Sequence, residues 1–134
     1  GSSAARDRGE GFNTAVDGKL DVVAKQTANF NRAEGLTVME NILQANPDIV
    51  GVFAHNDEMA LGALEAIEAS GKDIKVIGFD ATDDAVAAVK AGTLSATVAQ
   101  KPEEIGTKAV DAAIKYLKGE TVEANIPVEL ELIK

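Results

Sequence analysis

The chain has 134 residues, of which 46% are hydrophobic and 26% charged, so its length and composition are those of one globular domain. A formal net charge of −9 disfavours nucleic acid and anionic membrane surfaces as partners. Cysteine is absent, which excludes disulfides and thiolate chemistry, and no stretch has the pattern of a membrane span or a signal peptide.

The first half of the chain alternates helix and strand patterns. Apolar residues at helical spacing predict a helix over Ala4–Val16, and the short β-branched stretch Leu20–Gln26 predicts a strand. Asn31 is suited to cap the next helix, which carries apolar residues on one face. A strand over Ile49–Ala54 then runs into a helix that we expect to end at Gly71.

The second half continues the alternation. Ile74–Phe79 predicts an apolar strand, and the helix over Asp83–Ala91 has acidic residues in its first turn, where the helix dipole favours them. Ser95–Ala99 predicts a strand, and Pro102–Lys118 a helix that starts with proline. Pro127–Ile133 alternates apolar and acidic residues, which is typical of a half-exposed edge strand.

Helices that alternate with strands apolar on both faces indicate a parallel sheet covered on both sides. We therefore predict an α/β fold with a doubly wound, mostly parallel sheet flanked by helices. In such sheets, ligands bind beyond the carboxyl ends of the strands, where loops meet helix N-termini. The residues at these ends are Asn29, Phe30, His55, Asn56, Asp57, Phe79, Asp80, Gln100 and Lys101.

Two aromatics, two amides and a carboxylate at one edge suit a neutral polyol such as a sugar, which stacks its C–H face on rings and exchanges hydrogen bonds with amides and carboxylates. Arg8 lies on the apolar stripe of the first helix and would add a fork of donors. Each residue also has a structural interpretation: capping for Asn56 or Asp57, core packing for the two Phe, a turn for Asp80, and a solvated end for Arg8. Thr82, which follows that turn, is itself suited to cap the helix over Asp83–Ala91.

Several other classes of site lack their motif. No GxGxxG, GxxxxGK[ST] or GxSxG occurs, which leaves a dinucleotide site, a P-loop and a serine hydrolase unsupported. A phosphoacceptor receiver would need an acidic pair after its first strand, and none is present. The single histidine, His55, is interpreted as a solvated loop residue.

The segments SSAARDRGEGF, NFNR, VFAHNDEMALGAL, VIGFDAT and ATVAQKPEEIG resemble, in order, the C-terminal half of the ribose-binding proteins. These are extracytoplasmic sugar receptors of ATP-driven (ABC) importers. The resemblance implies that this chain folds as a flavodoxin-like or Rossmann-like lobe of a type I periplasmic binding protein. The resemblance implies no catalytic residue, metal or cofactor. It implies a ligand-binding set of Arg8, Phe30, Asn56, Phe79, Asp80 and Gln100. Two departures from the family pattern are His55, where Gln is usual, and Ala81, where Gly is common.

The resemblance also implies a function and partners. We expect a non-enzymatic half-site for ribose or a similar monosaccharide, in a periplasmic or extracytoplasmic receptor. The full-length receptor would include an N-terminal lobe and would engage a membrane permease. Residues 1–100 would form the C-terminal lobe proper, and residues 101–134 a crossover helix and terminal strand. Alternatives are the effector-binding core of a lac-repressor-type regulator and a structural or engineered half-domain that binds no sugar.

The last expectation concerns this chain by itself. The family pattern has a strand before Gly1, and without it the sheet would have an interior gap. The apolar face of the helix over Pro102–Lys118 would also lack its partner. We therefore expect weak or no sugar binding, and self-association or exchange of segments. Docking of that helix and the terminal strand on the chain's own sheet is the alternative.

Overall fold

The sheet has four strands in the order in which they occur in the chain. In a computed structural model, which describes residues 2–134, the first three strands are parallel and the last is antiparallel to the third. The strands are β1 (Gly51–Phe53), β2 (Lys75–Phe79), β3 (Ala96–Ala99) and β4 (Glu131–Ile133). The helices are α1 (Ser3–Val16), α2 (Arg32–Ala45), α3 (Asp57–Ser70), α4 (Asp83–Ala91) and α5 (Pro102–Leu117). The predicted mostly parallel α/β fold is confirmed.

Helix boundaries follow the capping residues that the sequence predicts. The Asn31 side chain accepts a hydrogen bond from the backbone N–H of Glu34 at 3.0 Å, and Thr82 caps α4 in the same way. Helices α3 and α4 end at Gly71 and Gly92, both left-handed, with φ of 68° and 79°. A side chain at either position would strain the backbone, which explains why glycine stands there.

The core lies between α3, α2 and the sheet. Helix α3 passes so close to α2 at Gly62 that a Cβ there would collide with the carbonyl oxygen of Arg32. A Cβ at Gly35 would likewise lie 2.8 Å from the carbonyl oxygen of Met59. The buried side chains of this core are Met39, Leu43, Ala54, Ala60, Ala63, Leu64, Ala66, Ile67, Ile74, Val76, Ala85 and Leu94. Among residues 2–134, no helix is long and apolar enough to cross a membrane.

The strand predicted over Leu20–Gln26 is wrong. The segment has no regular secondary structure, and Leu20 and Val23 are exposed. A strand forms when its backbone N–H and C=O groups pair with a neighbouring strand. No described strand pairs with this segment, and β1 pairs only with β2. The β-branched composition was therefore insufficient without a partner.

The predicted terminal strand forms only at Glu131–Ile133, where it pairs with β3 at the sheet edge. Helix α5, in contrast, buries none of its side chains completely. The strand therefore docks on the chain's own sheet, while the helix does not pack into the core.

The α2–α3 crossing generates a stability prediction. Gly62→Ala should lower the free energy of unfolding by about 1–3 kcal/mol, because backbone atoms of α2 must move to admit the methyl group. Urea denaturation would measure the change. Gly11→Ala in α1 is the matched control, since nothing lies within 4 Å of its Cβ position. The control should be neutral or stabilising by up to about 1 kcal/mol, and equal destabilisation by both substitutions would contradict the packing argument.

Candidate functional site

Three loops and one helix converge at the carboxyl ends of the parallel strands. Asp80 follows β2, Gln100 follows β3, and His55 with Asn56 follows β1. Helix α1 brings Arg8 to the same edge, where its side chain is only 14% exposed. Because the carboxyl ends of parallel strands share one edge, residues far apart in the sequence meet there.

The Asp80 carboxylate is the centre of this cluster. Its Oδ1 accepts hydrogen bonds from Nη2 of Arg8 at 3.2 Å and from Nε2 of Gln100 at 3.0 Å. Its Oδ2 accepts no hydrogen bond from any residue between 2 and 134. Since no fully buried polar side-chain atom of these residues lacks a partner, Oδ2 must reach the surface, where it remains open to a ligand. Burial raises the pKa of Asp80, while the Arg8 charge and the Gln100 hydrogen bond oppose that rise.

Arg8 also contacts one aromatic ring and one backbone carbonyl group. Its guanidinium lies over the Phe79 ring, with Cζ 3.8 Å from the centroid, and its Nη1 donates to the carbonyl oxygen of His55 at 2.6 Å. Phe79 is 9% exposed, so most of its ring is already covered. The sequence suggested Phe79 as a stacking platform for a ligand, whereas the structure makes it a platform for Arg8.

Aromatic contacts hold α1 against the strand ends. The Phe12 ring stacks on the Phe53 ring, with centroids 5.0 Å apart and an angle of 7° between the planes. The Phe53 and His55 rings are tilted against each other, with centroids 5.5 Å apart. Desolvation and the nearby positive charge of Arg8 lower the pKa of His55. His55 is thus partly buried against its neighbours, unlike the solvated loop residue that the sequence suggested.

Asn56 carries out the capping function that the sequence left open. Its Oδ1 accepts from the backbone N–H of Met59 at 3.0 Å, and the residue is 8% exposed. Its Nδ2 donates to no residue within the described part of the chain, and it is not fully buried. The amide nitrogen therefore remains available to a ligand while the oxygen starts α3.

Phe30 stands apart from the cluster. It lies in the loop before α2 in a left-handed conformation, with φ of 58°, and is 39% exposed. No ring pair or cation–π contact joins it to another residue in the 2–134 range. Of the six predicted site residues, the structure joins Arg8, Phe79, Asp80 and Gln100 by direct contact, and links Asn56 to them only through its neighbour His55.

The role of Asp57 was not predicted from the sequence. This residue is fully buried, and its carboxylate accepts hydrogen bonds from the Thr97 hydroxyl at 2.7 Å and the Thr82 backbone N–H at 2.8 Å. The signal was Gly78, since a glycine inside a strand marks a close approach. A Cβ at Gly78 would collide with the Asp57 carboxylate.

The donor set offers no metal site. Within residues 2–134, no group of three or more His, Asp or Glu side chains is placed to hold a metal ion. The cluster combines a carboxylate, a guanidinium and two amides, which is suited to hydrogen bonding with a polar, uncharged ligand.

Comparison with known proteins places these features in a family context. The periplasmic binding protein domain family matches residues 1–121. The ribose import binding protein RbsB of Bacillus subtilis is 61% identical over 132 residues, which is 98% of this chain and 43% of that protein. The Escherichia coli protein of the same name is 56% identical over 135 residues, 99% of this chain and 46% of that protein. The chain thus spans less than half the length of these relatives.

Solved structures agree with the fold. A Mycobacterium smegmatis protein in complex with β-D-fucofuranose has a TM-score of 0.86 and 40% identity, covering 96% of this chain and 44% of that one. A carbohydrate transporter solute binding protein from Agrobacterium radiobacter, in complex with D-arabinose, also has a TM-score of 0.86, with 38% identity and coverage of 96% and 45%. The resemblance to ribose-binding proteins is confirmed. The relatives are binding proteins, which also confirms the prediction of a non-enzymatic chain.

The lowered pKa of His55 generates a prediction of pH dependence. The unfolded chain protonates His55 near its ordinary pKa of 6.5, whereas the folded chain resists protonation at that pH. The unfolded state therefore binds more protons as the pH falls, and stability is lost in that direction. We expect His55→Gln to reduce the loss of unfolding free energy between about pH 7 and pH 5. Denaturant titration at both pH values measures it, and an unchanged pH difference would contradict the burial of His55.

Proposed function

Because the chain belongs to the periplasmic binding protein domain family, we propose that it forms the C-terminal half of the sugar site in an extracytoplasmic receptor of an ABC importer. Ribose or a similar monosaccharide is the ligand, as the names of the relatives suggest. The observation that carries the proposal is the convergence of Arg8, Asp80 and Gln100 at the carboxyl edge of the sheet, with Asp80 Oδ2 open.

The open atoms of the cluster complement the hydroxyls of a sugar. Asp80 Oδ2 accepts from hydroxyl groups, and the remaining N–H groups of Arg8 donate to them. Gln100 uses Nε2 on Asp80, which leaves its Oε1 for a hydroxyl, and Asn56 contributes its free Nδ2. Since a hydroxyl both donates and accepts, this mixture satisfies neighbouring hydroxyls of one ring.

The two aromatic residues have different roles in this proposal. Phe79 acts through Arg8, whose guanidinium already covers its ring. Phe30 is the more exposed of the two and has ring surface left to contact the apolar C–H face of a sugar. The proposed site keeps the six residues that the resemblance implies, with Phe79 supporting Arg8 and the other five contacting the sugar: Arg8, Phe30, Asn56, Asp80 and Gln100.

A second lobe completes the site in this proposal. The relatives are more than twice as long as this chain, and the Asp80 side chain at the centre of the cluster is 36% exposed. Tight sugar binding requires a site that buries most of the ligand. Residues 1–100 supply the C-terminal lobe, and residues 101–134 supply a crossover helix and the terminal strand, which pairs with β3. Because the second lobe is needed to enclose the sugar, the ribose affinity of this chain alone is lower by orders of magnitude. The permease engages the two-lobed receptor.

The test for the site uses this chain joined to the complementary part of the Bacillus subtilis relative. Asp80→Ala should weaken ribose binding by about 2 kcal/mol or more, roughly thirty-fold in Kd, because sugar hydroxyls and Arg8 lose a charged acceptor. Isothermal titration measures the affinity. Asp83→Ala is the matched control, since it removes an exposed carboxylate three residues away at the start of α4.

The two parts of the proposal fail separately. A parent chimera that folds but binds no ribose would contradict the choice of ligand. Equal affinities for the parent and Asp80→Ala would contradict the site assignment instead.

A second property, self-association of this chain alone, is favoured by α5. The helix buries none of its side chains completely, and several large apolar residues on it are exposed. Exposed apolar area of this kind is stabilised by contact with a second surface. These residues are Ile105, Val110, Ile114, Tyr116 and Leu117.

Sedimentation velocity tests the association. The chain alone should form a dimer or larger species, and Ile114→Glu should shift it towards monomer because a carboxylate at the contact must be desolvated. Lys115→Gln changes the net charge by the same single unit on the polar side of α5 and should leave the distribution unchanged. A parent chain that stays monomeric at high concentration would contradict the association.

A further inference from the structure

Asp57 is a buried carboxylate that the proposed sugar site does not use. It is the first residue of α3 and is 0% exposed. No Lys, Arg or His among residues 2–134 forms a salt bridge with it. Its partners are neutral: the hydroxyl of Thr97 on Oδ1, and both the backbone N–H and the hydroxyl of Thr82 on Oδ2.

The partners of Asp57 hold the loop that follows Asp80. Thr82 N–H donates directly to Asp57 Oδ2, at 2.8 Å. Ala81 N–H donates to Thr97 Oγ1 at 3.2 Å, and that hydroxyl donates in turn to Asp57 Oδ1. Two consecutive amides of the loop are thus bound, one directly and one through a hydroxyl, to a single carboxylate.

The same loop has an unfavourable backbone. Asp80 and Ala81 have φ of 114° and 54°, in a region that residues with a side chain rarely adopt. Such a conformation persists only where surrounding contacts impose it. The hydrogen bonds from Ala81 and Thr82 are such contacts, in addition to the one from the Asp80 N–H to the carbonyl oxygen of Val98 at 2.9 Å. Gly78 on β2 provides the space in which the Asp57 carboxylate reaches the loop.

We propose that Asp57 is a positioning residue for sugar binding: its carboxylate holds the loop of Ala81 and Thr82 in the strained conformation that directs the Asp80 side chain to Arg8 and Gln100. The inference rests on the proposed role of Asp80 in the sugar site. A carboxylate is required because the network presents donors to both oxygens, whereas an amide has only one acceptor oxygen.

The first experiment compares two carboxylate-to-amide substitutions in adjacent positions. Asp57→Asn should weaken ribose binding by the chimera about ten-fold or more, because one donor of the network loses its acceptor and the loop relaxes. Glu58→Gln removes the same charge from the same first turn of α3. Its carboxylate pairs with Arg32 at 2.7 Å and is 42% exposed, so this control should retain the parental affinity.

A second pair of substitutions separates positioning from general destabilisation. Thr97→Ser keeps the hydroxyl that bridges Ala81 to Asp57, and Thr97→Val keeps the shape without the hydroxyl. Serine should retain affinity, and valine should lose it about ten-fold. Equal affinities for the two variants, or a loss with Glu58→Gln equal to that with Asp57→Asn, would overturn the proposal.

Amide hydrogen exchange on this chain alone provides a readout that does not depend on sugar. Asp57→Asn and Thr97→Val should accelerate exchange at Ala81 and Thr82 about ten-fold or more relative to core amides of α3. If exchange changes as expected but the parent chimera binds no ribose, the proposed function fails and the restraint on the loop stands. Unchanged exchange at both amides would overturn the restraint even if ribose binds.

Discussion

The carboxylate of Asp57 connects three elements at the end of the sheet where the candidate site lies. It begins α3, receives the hydroxyl of Thr97 on β3 and receives the N–H of Thr82 at the start of α4. A buried carboxylate without a cationic partner is costly unless both oxygens are hydrogen-bonded. Here they are, and Asp57 also lies in the first turn of α3, where the helix dipole favours negative charge. The loop carrying Asp80 therefore has little freedom to rearrange.

The contact between α1 and the strand ends is the second constraint on the site. Helix α1 buries no residue completely, so it is held mainly by the Phe12–Phe53 stack and by Arg8. Arg8 contacts the ring of Phe79, the carbonyl of His55 and the carboxylate of Asp80. Loss of the Asp80 carboxylate would leave a partly buried guanidinium with an unmet donor, and loss of the Phe79 ring would remove its cation–π contact, which ties the position of α1 to the integrity of the cluster.

The features of the fold that depend on local sequence could be predicted. Asn31 and Thr82 cap helices through their own side chains, and Gly71 ends one because it adopts a positive φ. Leu20–Gln26 was mispredicted because a strand depends on a neighbour, which the local sequence does not reveal. The roles of Phe79 and Asp57 were equally invisible, since each depends on a partner more than twenty residues away, Arg8 in one case and Thr82 and Thr97 in the other.

The ion pair at the centre of the site has a consequence for ligand recognition. Arg8 occupies Asp80 Oδ1, and Gln100 shares that oxygen, so the negative charge is partly compensated before any ligand arrives. A cationic ligand would have to compete with Arg8 for the carboxylate. An anionic ligand that approached Arg8 would be repelled by the neighbouring carboxylate of Asp80. A neutral polyol meets neither obstacle, because it uses the free Oδ2 and the remaining N–H groups without displacing the pair. The pairing of opposite charges within the cluster therefore selects against charged ligands while it orients the groups that bind hydroxyls.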